Sequence, residues 1–215
     1  MSGAEAIAVL GVISSIISII DGTKQVYDAA THAQGLPEAF REVAARLPIV
    51  QNILASAKRD IEKGDMDEDS YKGVKDIVEG CGEKARKLEE LFKKVMPANS
   101  ASRAERYLLA ARTLGKGSRV EALMKGMLED VQLLAINHGM TAVTDIQLEE
   151  VADAIKELAA LPPSIPEHVI EGAGFTAIHS GSGSINQAQR DLYTGSGPVY
   201  HAQAMTFGSN GKNGT

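Results

Sequence analysis

The side chains able to do chemistry are few and do not gather. Five histidines, His32, His138, His168, His179 and His201, are scattered, and no pair has the spacing that metal ligands need. His179 and His201 fall in a glycine-rich tail, which cannot preorganise a site. No P-loop, nucleophile elbow or dinucleotide fingerprint occurs. Gly172-Ala173-Gly174 and the two Gly-Ser-Gly triplets have no helix after them to aim amides at a phosphate. Acidic pairs such as Glu149-Glu150 read as solvated helix faces. A single cysteine, Cys81, leaves no disulfide framework and no multi-cysteine metal site, fits a reducing cytosol, and reads as a small buried hydrophobe. The expectation is a protein that is not an enzyme and holds no cofactor and no metal.

Two other stretches carry chemistry of a different kind, transfer between solvents and self-assembly. Residues 6–20 read AIAVLGVISSIISII, 15 residues without a charge. That is short of the ~20 residues a helix needs to span a bilayer. One reading is a buried helix of a bundle. The other is a segment that leaves the bundle and enters a membrane when the protein is switched on, through Ile7, Val9, Leu10, Val12, Ile13, Ile16, Ile17, Ile19 and Ile20. Glu5 stands where a secretory signal needs basic residues, so a leader peptide is not expected.

The second stretch is a repeat. Residues 177–190 (AIHSGSGSINQAQR) align with residues 191–204 (DLYTGSGPVYHAQA) at an offset of 14. Gly181 and Gly183 fall on Gly195 and Gly197, Ile178 on Leu192, Ile185 on Val199, and Gln189 on Gln203. A frayed third copy begins around Phe207. Each unit is a short apolar or aromatic strand, a Gly-Ser-Gly turn, and a second short strand with polar amides. Stacked units would superpose aliphatic on aliphatic and amide on amide, which cross-β structure rewards. Tyr193 and Tyr200 complete the second copy. Pro198 disfavours a central strand but adjoins the turn, where it is tolerated. A tail this short and polar should be disordered in a soluble monomer and order only on joining other copies or a template. The competing reading is an inert Gly/Ser tail.

The elements that would hold these stretches are helices. The expected class is all-α: a bundle of about five helices over residues 1–160, a proline-rich linker at 161–171, and the repeat-bearing tail at 172–215, able to form cross-β amyloid. Hydrophobic residues make up 44% and aromatics only 4%, with no Trp, so the core must be aliphatic. The first helix should run from residue 2 or 3 to about Ala33, with a weak point at Gly22 and a stop at Gly35. The second should open at Leu36-Pro37 and bury Phe40, Val43, Leu47, Val50, Ile53 and Leu54, with a kink or break at Pro48. After an acidic turn at 64–69, a third at about 68–95 should bury Val74, Ile77, Val78, Cys81, Ala85, Leu88, Leu91, Phe92 and Val95. A fourth, from about Arg103 to Asn137, starts at the capping box Ser102…Glu105 and contains Gly115, Gly117 and Gly126. A fifth starts at Thr144 or Asp145 and ends near Ala160. The prolines at 162, 163 and 166 then mark a boundary and an extended linker.

The net charge of −6 argues against nucleic-acid binding, and against simple attraction to anionic lipid. The tail holds only Arg190, Asp191 and Lys212, so it carries +1 and residues 1–171 carry −7.

Residues 4–30 (AEAIAVLGVISSIISIIDGTKQVYDAA) and 35–54 (GLPEAFREVAARLPIVQNIL) resemble the SesA-type, HeLo-like N-terminal domains of filamentous fungi. The tail, with its YTGSGPVY core, is similar to the pseudo-palindromic, RHIM-like prion motifs that such proteins carry, although the apolar-Gln-apolar-Gly core of those motifs is only approximated, as in Ala202-Gln203-Ala204. The resemblance implies a cell-death effector, cytoplasmic at rest. A NACHT-type receptor bearing a matching motif would template the tail into amyloid. The apolar helix would then enter the plasma membrane. Implied partners are further copies of the chain, that receptor and membrane lipid. Because no NACHT module lies within the chain, the resemblance points to the effector and not the receptor. The alternative function is a scaffold that recruits partners through the tail without touching a membrane. A third, a regulatory domain for a small ligand, would need a dry apolar cavity.

Overall fold

Periodic burial of aliphatic side chains builds six helices. In the computed structural model they are α1 (Gly3–Ala29), α2 (Glu38–Lys63), α3 (Glu68–Val95), α4 (Arg103–Leu114), α5 (Val120–Asn137) and α6 (Asp145–Ala160). The structure describes residues 3–30, 36–63, 68–97, 101–115, 117–137, 141–166 and 169, and among these there is no strand. The chain divides into Met1–Glu171, which holds all six helices, and Gly172–Thr215. Outside the described residues lie residues 172–215, the five histidines and residues 64–67 of the acidic turn.

The class is all-α, as expected, with one helix more than the sequence suggested. The expected fourth helix is two, α4 and α5. Gly115 and Gly117 adopt φ of +86° and +72°, which side-chain-bearing residues rarely adopt and no α-helix contains. Gly115 N–H donates to the Ala111 carbonyl at 3.1 Å and closes α4. Gly126 is different. It lies inside α5, where a Cβ would sit 2.9 Å from the Lys84 stem. Its missing side chain lets Lys84 reach Asp130 at 2.7 Å.

Pro48 was expected to kink or break the second helix; it does not break it, and α2 runs from Glu38 to Lys63 with Pro48 inside. A proline inside a helix costs about 3 kcal/mol. Against that, Phe40, Val43, Leu47, Val50, Ile53 and Leu54 are each at most 1% exposed, and each stabilises by about 1.5–3 kcal/mol. Packing wins by a wide margin. The first helix ends at Ala29, short of Ala33, so Gly35 is not its C′ residue. Instead Ala30 N–H donates back to the Tyr27 carbonyl at 3.1 Å. α3 and α6 have the expected bounds. All of the α3 stripe is buried except Ile77, which is half-buried. The Ser102/Glu105 capping box is present, with bonds of 3.2 and 3.1 Å, and Thr144/Gln147 forms a second one before α6.

Four helices form a ring. α1 adjoins α2 and α3, and α5 adjoins the same two from the opposite side. α4 leans on α3, and α6 lies across α5 and α2. α1 is thus a corner of the ring, with neither outer helix against it. The core between them is aliphatic apart from Phe40, Tyr71, Phe92 and Tyr107.

Candidate functional site

The nine residues read as membrane-entering are split by the bundle. Val9, Ile13, Ile16 and Ile20 recur at intervals of four, three and four residues, so they share one helix face, and each is at most 1% exposed. Leu10, Val12, Ile17 and Ile19 are half-buried on its flanks, and Ile7 is 71% exposed. The outer face of α1 carries Ala8, Gly11, Ser15 and Ser18, all exposed and all small. Only 28% of its most apolar stretch is buried, so α1 gives one apolar stripe to the core and leaves much of its surface at the edge of the bundle.

The apolar run was expected to be too short for a bilayer. The helix that contains it is longer. Glu5–Ala29, 25 residues, is long and apolar enough to cross a membrane by length and composition, because α1 continues through Gly22 and past Asp21 and Lys24. A buried core helix passes the same test, and α1 is partly one. Two of its hydroxyls bond within the helix, Ser18 Oγ donating to the Ser14 carbonyl at 3.0 Å and Thr23 Oγ1 to the Ile19 carbonyl at 2.8 Å. Hydroxyls satisfied by their own helix remain satisfied in hydrocarbon.

Close packing and a few polar ties hold α1. Gly82 of α3 faces Ile16, whose Cγ1 would lie 3.4 Å from a Cβ there. Gly22 faces Glu89 in the same way, at 3.2 Å. From α2, Lys58 Nζ donates to Ser14 Oγ at 3.1 Å and Gln51 Nε2 to Asp21 Oδ1 at 2.9 Å. The Tyr27 ring tilts against Phe92 with centroids 6.0 Å apart. Each tie is individually modest.

Two titratable groups elsewhere, Cys81 and Asp130, are shifted by burial. Cys81 is 1% exposed, and burial pushes its thiol up to about 12, so it is no nucleophile at neutral pH. Burial likewise raises the Asp130 carboxyl, with Lys84 opposing the rise. Among the described residues no three His, Cys, Asp or Glu side chains are grouped to hold a metal ion. Two open clefts lie on the surface, one between α2 and α6 around Arg46 and one between Pro37 and the 161–164 segment. The sites expected for assembly, from Ile178 and Gly181 through Tyr200, Gln203 and Phe207, lie outside the described residues.

The proline segment, read from its composition as an extended linker, packs on the bundle. Its described residues are not free chain: Ile165 is 6% exposed, and Ser164 bonds to Tyr107 and Glu121.

Residues 13–134 match a family model, SesA, described as an N-terminal domain on NACHT NTPases and P-loop NTPases. The chain belongs to the SesA family. The SesA match begins within α1 at Ile13 and ends within α5 at Leu134, so it takes in the ring and α4. Searches of curated proteins and of solved structures returned no match. As a SesA domain, the bundle is of a kind found at the N-terminus of NACHT and other P-loop NTPases.

Proposed function

We propose that this SesA protein is a cell-death effector of the fungal type, switched by assembly of its tail and acting through α1 at the plasma membrane. At rest it is cytoplasmic, and α1 is docked at a corner of the ring by its Val9, Ile13, Ile16 and Ile20 face. A NACHT-type receptor with a matching motif orders the tail as cross-β, other copies join, and α1 is delivered to lipid. The protein acts as neither enzyme nor cofactor carrier. The observation that carries this reading is α1 itself. It is long and apolar enough for a bilayer by length and composition, and among the described helices it packs against α2 and α3 alone.

The second reading is a scaffold that recruits partners through the tail, with α1 as core. It draws support from the burial of Val9, Ile13, Ile16 and Ile20.

Gly11 separates the two. It is exposed, with nothing within 4 Å of a Cβ, so Gly11→Asp should change bundle stability by less than about 0.5 kcal/mol. In a bilayer an aspartate at the centre of a spanning helix costs about 2.5–3.5 kcal/mol, and at Gly11, about 9 Å in from Glu5, a part of that, still about tenfold in partition. Leakage of dye from liposomes by tail-assembled full-length protein should fall accordingly, with assembly unchanged. Undiminished leakage, or no leakage by the parent, would leave only the scaffold. Charged replacement of Ile16 is a poorer probe, because it would unfold the core.

A further inference from the structure

We infer that the segment Leu161–Pro166 is a strap whose docking holds α1 in the bundle. The inference rests on the reading that α1 leaves the ring on activation.

The strap is anchored by a continuous chain of hydrogen bonds. Ser164 N–H donates to Glu121 Oε1 at 3.0 Å and its hydroxyl to Glu121 Oε2 at 2.6 Å. With that proton committed, Ser164 Oγ accepts from the Tyr107 hydroxyl at 2.6 Å. Tyr107 in turn accepts from Val120 N–H at 3.1 Å. Glu121 stands in the first turn of α5, where the helix dipole favours a carboxylate. Such chains polarise one another, and a half-broken one strands buried polar groups. Ile165 adds an apolar plug, 6% exposed, and further along Arg112 Nε holds the Val169 carbonyl at 2.9 Å. Prolines at 162, 163 and 166 restrict the strap before it docks, so little entropy is lost in docking.

From Tyr107 a row of rings leads to α1. Tyr107 meets Phe40 edge-on at 4.8 Å, Phe40 meets Phe92 at 5.2 Å, and Phe92 meets Tyr27 of α1 at 6.0 Å. The row crosses α4, α2 and α3 to the last turns of α1. A Tyr107 ring that loses Ser164 leaves its hydroxyl without that partner in the core and must shift toward water. A close-packed core does not absorb that shift locally. The loosening passes along Phe40 and Phe92 to the contact that seats Tyr27.

The test is hydrogen exchange on the full-length chain, with the first two turns of α6, residues 145–152, as internal reference, because α6 does not adjoin α1 and these turns lie at the end away from Leu161. Ser164→Asp places a carboxylate against Glu121. Exchange in residues 16–29 should accelerate about tenfold relative to α6. Should Ser164→Asp unfold the whole bundle, Tyr107→Phe removes only the hydroxyl, keeps the ring, and should accelerate α1 more than α6. In a Phe92→Leu background, which interrupts the ring row, the added effect of Ser164→Asp on α1 should vanish. Acceleration confined to the strap, equal acceleration of α1 and α6 in both variants, or simple additivity with Phe92→Leu would each overturn the inference. Vesicles of phosphatidylcholine and phosphatidylserine separate the two claims. Loosened α1 without leakage refutes the membrane reading and keeps the strap, and leakage with α1 unmoved does the reverse.

Discussion

Asp60 sits on the buried side of α2 with a side chain only 10% exposed, among apolar neighbours. Its carboxylate accepts from Ala142 N–H at 2.7 Å and Thr141 Oγ1 at 3.2 Å and pairs with Lys63 at 2.6 Å. One side chain thereby fixes the turn that leads into α6. Burial pushes the Asp60 carboxyl up, but Lys63, Ala142 and Thr141 together hold it below its ordinary value of 3.8. The unfolded chain therefore takes a proton near pH 3.8 while the folded chain does not. The stabilisation is complete above that pH and is lost as pH falls through the lower folded value. Asp60→Ala should lower unfolding free energy at pH 7 by about 2 kcal/mol and flatten the decline on acidification. Denaturant titrations from pH 7 to 3 on both proteins check it. An equal slope for both would mean that other carboxylates set the acid limit. The i,i+3 pair with Lys63 could be read from the sequence, but the tie to the turn could not, because Thr141 and Ala142 lie more than 80 residues away.

At the scale of elements, legibility depended on contrast. α3 alternates charged and apolar positions at helical spacing, so its stripe and both its ends could be read directly. α1 is apolar nearly all round from Ala6 to Ile20, so no face stands out. Only packing reveals that Val9, Ile13, Ile16 and Ile20 point inward. The α4–α5 break depended on glycine conformation, and Gly115 and Gly126 look alike in sequence while one ends a helix and the other admits a lysine stem. The α1–α3 contact also hangs on a glycine. A Cβ at Gly82 would lie at ordinary contact distance from Ile16, so Gly82→Ala gains helix propensity without a clash and should stabilise by about 0.5–1 kcal/mol. Gly82→Leu overfills the same contact and should cost about 1–3 kcal/mol, pushing α1 outward. Thermal melts measure both signs, and leakage after tail assembly should rise in the leucine variant and fall in the alanine variant. Destabilisation by alanine would show that the helices cannot part by even a methyl group.

For the whole molecule, the uneven distribution of charge makes a separate prediction. Residues 1–171 carry −7 and the tail +1. If the two 14-residue units stack as two rungs, each copy advances a fibril by roughly 10 Å. A four-helix cross-section is roughly 20 Å across. Successive bundles must then splay and crowd, and their like charges repel over a Debye length of about 10 Å at 0.1 M salt. Assembly of the intact chain should therefore quicken as salt rises from about 0.05 to 0.5 M. The isolated segment 172–215, nearly neutral, should assemble at a rate almost independent of salt. Ile185→Lys with Val199→Lys places charges in register on every rung and should abolish thioflavin binding in both forms. A segment that stays monomeric at high concentration would remove assembly as the switch. An intact chain indifferent to salt would instead mean that the bundles do not crowd, so that crowding contributes nothing to moving α1 from the ring toward lipid.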